Sequence, residues 1–130
     1  MSEKRNLKEV VQYWIEKAND SLSAAEDELK AGRFSFTVNR IYYACFYIVS
    51  AVLLQRKLKF TKHSGVRIAF HQHLVKTGQV TREQGQLYDE LFEARLRGDY
   101  IELVHFEKEQ IEEWLKQVSE FVKAVRALIK

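Results

Sequence analysis

The segment Glu93-Ala-Arg-Leu-Arg-Gly-Asp-Tyr100 sets two guanidinium groups, two carboxylates and a phenol within one short stretch. Arginine presents a planar fork of donors that stays charged at any ordinary pH, a geometry suited to phosphate. Gly98 predicts a helix end at Arg97-Gly-Asp99, because glycine readily takes the left-handed conformation that closes a helix. Upstream, Arg40 precedes Tyr43 by three residues, about one turn, so another guanidinium and phenol share a helical face. The expectation is a phosphate or nucleotide site drawn from Arg40, Tyr43, Arg95, Arg97, Asp99 and Tyr100. The plainer alternative leaves Arg95 and Arg97 solvated or paired with Glu93 and Asp99, with Tyr100 packed as an end cap.

His63 stands near the start of an expected short helix, whose N-terminus would lower its pKa. It reads either as a surface or capping residue or as a group that moves a proton. His71 and His73 are two residues apart and diverge on a helix, so they do not form the same-face pair that chelates a metal. The single cysteine, Cys45, excludes a cysteine zinc cluster and an internal disulfide, and no glycine-rich phosphate loop or dinucleotide fingerprint occurs. No metal and no cofactor are expected.

The elements that must position these groups are helical. Leu7, Val11, Trp14, Ala18, Leu22, Ala25 and Leu29 recur at steps of three and four, predicting an amphipathic helix from Leu7 to Lys30. A second helix starts near Phe34 to Phe36. From Ile41 to Leu54 only Ser50 is plainly polar, so this helix is apolar on nearly every face and should lie at the centre of the molecule. It is shorter than the roughly 20 apolar residues a membrane span needs, and charged residues close it at both ends. Thr61 to Ser64 offer caps for a third helix carrying Val66, Ala69, Phe70, His73 and Leu74, ended by Thr77-Gly-Gln79. Thr81 and Gln84 form a capping box for a fourth, with Leu87, Leu91, Phe92 and Leu96 as its apolar face. After a connection over Tyr100 to Phe106, Ile111, Leu115, Val118, Val122, Val125 and Ile129 mark the last helix. Residues 1–130 thus read as one all-α domain, an up-and-down bundle of four to five helices.

Composition narrows the setting. Against 18 acidic residues stand 21 Lys and Arg, a net charge of +3 that does not by itself specify nucleic-acid binding. The buried thiol expected for Cys45 and an N-terminus without a signal-peptide core predict a cytoplasmic protein. Trp14, Trp114, Phe34, Phe36 and Phe106 are surplus large rings for a short bundle, which predicts a homodimer contact.

Taken together, Asn39-Arg-Ile-Tyr-Tyr-Ala-Cys-Phe46, Lys62-His63-Ser-Gly65, Phe92-Glu-Ala-Arg95 and Arg97-Gly-Asp-Tyr100 resemble the HEPN superfamily, in its branch of small UPF0332-like proteins. The resemblance implies a helical bundle, dimerisation, and pairing with a minimal nucleotidyltransferase in a toxin–antitoxin module. Many HEPN proteins are metal-independent ribonucleases marked by an arginine, four to six residues, then a histidine. Carried onto this chain, the arginine falls on Arg95, and the matching position holds Tyr100 instead of histidine. His105 lies nine intervening residues from Arg95 and seven from Arg97, outside that window. Two functions follow from the resemblance. One is a dimeric module that binds a nucleotide or RNA with little or no catalysis. The other is a ribonuclease toxin in which Arg95 stabilises phosphate while Tyr100 or His63 moves the proton.

Overall fold

The computed structural model describes residues 3–100 and 105–130, with the backbone alone at residues 3–5, 99 and 100. Among the described residues there are five α-helices and no strand: α1 (Glu3–Lys30), α2 (Phe34–Gln55), α3 (His63–Phe70), α4 (Arg82–Tyr100) and α5 (Lys108–Arg126). A π-helical turn, His71–Val75, extends α3. The all-α bundle expected from periodicity is the observed fold.

Helix α2 is its axis, packing against α1, α3, α4 and α5. It is long and apolar enough to cross a membrane by length and composition, yet Ile41, Tyr42, Ala44, Cys45, Ile48, Val49, Ala51 and Val52 are all fully buried within the bundle. Its apolar character is therefore used by its own neighbours. Cys45 lies in this core, and burial drives its thiol far above the ordinary range, leaving it unreactive. On α1 the buried positions are Val11, Ile15, Ala18, Ser21 and Ala25, with Trp14 and Leu22 half-buried beside them. On α5, Trp114 and Phe121 are buried, whereas Leu115, expected on the stripe, is only half-buried. Trp114 thus belongs to the core of the protomer, beneath Phe106, and is not a surface ring.

The turns follow local chemistry. Gly32 (φ 76°) and Gly78 (φ 77°) take the left-handed conformation just past a helical segment, and each turn carries the paired bonds of a Schellman motif. In the first, Arg33 N donates to Glu28 O and Gly32 N to Leu29 O. The same pair of bonds closes α2, from Leu58 N to Leu53 O and from Lys57 N to Leu54 O, but here the left-handed residue is Lys57 (φ 64°). A side chain in that region costs about 1 kcal/mol. Lys57→Gly should therefore stabilise the protein by roughly 0.5–1 kcal/mol, read as a rise in Tm with an unchanged denaturant m-value.

The expected capping box is present: Thr81 N donates to Gln84 Oε1 at 2.9 Å and Gln84 N to Thr81 Oγ1 at 3.0 Å. The start of α3 differs from expectation. Its N-cap is Lys62, in extended backbone with no side-chain capping bond. The end of α4 differs too, since the helix continues through Gly98 to Tyr100. The reason is packing: a Cβ at Gly98 would stand 3.1 Å from the Phe106 ring, so this glycine makes room for the chain entering α5.

Candidate functional site

Three helices converge on Tyr42. On α2, Tyr42 and Phe46 are one turn apart, as are His63 and Arg67 on α3; on α4, Tyr88, Phe92 and Arg95 follow at steps of four and three. Packing of α3 and α4 on α2 brings these sets together. The ring of His63 stacks on Phe46 at 4.2 Å between centroids, and its Nδ1 lies 2.8 Å from Tyr42 Oη. The guanidinium carbon of Arg95 sits 4.7 Å from the centre of the Tyr42 ring and 5.9 Å from that of Tyr43, within cation–π range. Histidine and arginine thus both contact one phenol, the first at its hydroxyl and the second at its ring.

The electrostatics follow from this placement. Burial pushes the Tyr42 phenol up to about 12, so it keeps its proton throughout the physiological range. Tyr88, fully buried against the Tyr42 ring, is driven well above the normal phenol value by burial. Among the described residues its hydroxyl has no partner at full hydrogen-bond geometry, although the two phenols are close enough to perturb one another. The pKa of His63 is lowered, first by desolvation and then by the positive charge of Arg95. His63 is accordingly neutral at pH 7.

That shift has a sign for stability. The folded protein resists protonating His63, so between the lowered folded pKa and the ordinary value of 6.5 the unfolded chain binds more protons. Stability from this group is complete above about 6.5 and is lost as the pH falls below it. Thermal melts taken from pH 7.5 down to pH 5 should show a decline that is shallower in His63→Gln, and the difference between the two curves isolates this residue.

Beside the site, Arg67 clasps α3 to α4. Its guanidinium lies 4.4 Å from the centre of the Phe92 ring, Nε donates to Asp89 Oδ1 at 2.8 Å and Nη1 to Glu93 Oε1 at 3.3 Å. His71 Nε2 is 2.9 Å from the same Asp89 oxygen. Glu93 is therefore engaged by Arg67, a residue not singled out by the sequence motifs. Only the i, i+4 spacing from His63 to Arg67 hinted that the two share a face.

Of the residues expected to form the site, Arg95, Tyr43 and His63 come together. Arg40 and Arg97 are exposed and make no ion pair or ring contact among the described residues. Arg97 lies two residues beyond Arg95, about 200° around the helix, which turns it away. The side chains of Asp99 and Tyr100 lie outside the described residues. Tyr42, absent from the expected set, is the group that links the others, through its hydroxyl to His63 and through its ring to Arg95.

In a comparison with known families, the HEPN domain model matches residues 11–128. The chain belongs to the HEPN family. A UPF0332 protein of Thermotoga maritima is 45% identical over 130 residues, covering 100% of this chain and 96% of that protein. A Methanocaldococcus jannaschii protein named "Putative toxin MJ0142" is 37% identical over 98 residues, 75% of this chain and 67% of its own length. A second from that organism, "Putative toxin MJ0605", is 31% identical over 96 residues, 74% of this chain and 72% of its own length. In this HEPN protein the arginine of the resembling motif, Arg95, stands over the Tyr42 ring, and His63 from α3 meets the hydroxyl of the same tyrosine and feels the charge of Arg95.

Proposed function

We propose that this HEPN protein binds RNA by its backbone phosphate at the Arg95–His63 site and acts as a toxin-like module in the cytoplasm. The reading rests on one observation: a guanidinium over the ring of Tyr42 and an imidazole at its hydroxyl are gathered on one side chain. Because Tyr42 keeps its proton, its hydroxyl can donate to His63 Nδ1, which places the imidazole proton on Nε2. His63 then offers a neutral N–H donor beside the charged fork of Arg95. The first turn of α3, which has no side-chain cap, adds free amides and the positive end of a helix dipole. These are donor groups for an anion. The names of the two archaeal relatives support a toxin-like role; the counterpart we propose, from the family resemblance alone, is a minimal nucleotidyltransferase. Co-expression with such a protein should yield a stable complex and relieve any growth arrest.

A second reading is favoured by the same histidine. In the other tautomer Nδ1–H donates to Tyr42, the Tyr42 hydrogen turns toward Tyr88, and Nε2 becomes a base. It would take the proton of an RNA 2′-hydroxyl as that oxygen attacks phosphorus and the 5′-oxygen leaves with a proton from solvent. The products are a 2′,3′-cyclic phosphate and a 5′-hydroxyl, with Arg95 stabilising the charged phosphorane. Incubation of total RNA with the protein and excess chelator separates the two readings. The binding module leaves the RNA intact while retaining it on a filter; the ribonuclease yields fragments that disappear in His63→Ala and Arg95→Ala.

The module is also proposed to be a homodimer. Phe36, 61% exposed on α2, is the large ring most open to solvent among those the sequence marks for a subunit contact. Light scattering at micromolar concentration should give twice the protomer mass, with Phe36→Glu reverting it to one.

A further inference from the structure

Next to the phosphate site the surface opens into a groove of about 830 Å³ between α1, α2 and the connection to α3. Its size falls within the roughly 300–1,000 Å³ typical of small-ligand sites. Trp14, Tyr43, Phe46, Tyr47 and Phe60 supply its aromatic walls. Trp14 and Tyr47 stack at 5.3 Å with 30° between their planes, and Phe60 is held at the rim by contact with Gly65, where a Cβ would meet its ring at 3.3 Å. Among the described residues no carboxylate lines the groove. Its ionisable groups are Lys59, His63 and the phenols, while Lys17 Nζ lies 5.6 Å from the Tyr47 ring centre.

Two residues belong to both places. His63 and Tyr43 line the groove and also neighbour Arg95, so a chain whose phosphate meets Arg95 has an aromatic slot within one nucleotide's reach. We propose that this groove seats an unpaired RNA base, stacked against the Trp14–Tyr47 wall, from the nucleotide whose phosphate Arg95 holds; this rests on the phosphate reading above. A polyanion suits a wall whose described ionisable groups are Lys59, His63 and phenols, and a base suits the rings, since any base offers a flat face to an aromatic ring. Ser50 and Asn6 supply polar edges that a base's donors and acceptors can meet. A duplex has no free base to offer, so the protein is assigned to single-stranded RNA.

Trp14 is itself the reporter. In a Trp114→Phe background, checked for folding by circular dichroism, its emission is followed during titration with a single-stranded RNA hexamer, the same hexamer built from abasic nucleotides, adenosine, and inorganic phosphate. The hexamer and millimolar adenosine should quench Trp14, whereas the abasic hexamer and phosphate should not. Tyr47→Ala should weaken the hexamer about tenfold, the scale of one stacked base, and leave the abasic hexamer unchanged. Equal affinities for the two hexamers with unaltered Trp14 emission would overturn the proposal. So would quenching that follows protein concentration without RNA and accompanies a doubled mass, which would give the groove to a second copy of the chain. Failure of the phosphate reading looks different: adenosine still quenches Trp14 while Arg95→Ala leaves hexamer affinity unchanged, which upholds the groove and removes the phosphate site.

Discussion

Arg95→Ala should weaken single-stranded RNA binding by at least about 30-fold, the equivalent of roughly 2 kcal/mol for a charge-assisted contact in a partly desolvated setting. The same change should lower the slope of log affinity against log salt by about one, since one phosphate contact is lost. Arg95→Lys keeps the charge and loses the planar fork, so it should retain the salt slope while losing most of the affinity. Arg97→Ala, at an exposed position, should alter affinity less than about threefold. Fluorescence anisotropy at several salt concentrations measures all three. Equal losses for Arg95→Ala and Arg97→Ala would show that binding follows surface charge and not the Tyr42 site. Because Arg95 also packs over two phenol rings, each variant's melting temperature is taken alongside, and an affinity loss counts only at temperatures where the variant is folded.

Phe121→Ala should destabilise the protein by about 3–5 kcal/mol and lower its Tm on the order of 10–20 °C. Its ring is fully buried, 5.7 Å from Phe70 and 6.2 Å from Tyr88 between centroids, and so joins α5 to the aromatic layer beneath the site. Removing it leaves a cavity whose walls, held by rings on two other helices, relax little. Leu115→Ala is the control. That side chain is only half-buried, and its loss should cost about 1 kcal/mol. Chemical denaturation of both variants at pH 7.5 would decide, and comparable losses would mean that the last helix turns its other face to the core.

The contrast between Phe121 and Leu115 shows where periodicity reads well and where it does not. A step of three or four residues identifies a helix and roughly which side is apolar, but at 3.6 residues per turn two adjacent phases fit a short stripe almost equally. Leu115 and Trp114 differ by one position, about 100°, and only the place left open by α2 selects between them. On α2 the ambiguity vanishes, because a helix apolar all round has one place to go. Its central position was legible for that reason, as was the Thr81–Gln84 capping box, whose partners are three residues apart and form within a single turn.

The end of α4 was misread because glycine carries two meanings. Gly32 and Gly78 stop helical segments through a left-handed backbone, whereas Gly98 stays helical and yields space to Phe106. The first role is local, and the second depends on a ring eight positions further along the chain.

By itself the sequence determined an all-α bundle of four to five helices, a buried α2 and the HEPN relationship, since each depends on residues near one another in the chain or on a recognisable set of short motifs. It could not determine that His63 joins Arg95. Tyr42, His63 and Arg95 lie on three different helices, and their meeting is set by how α3 and α4 pack against α2. Helical spacing orients a side chain about its own axis, but the distance between axes and their relative rotation come from filling the shared core.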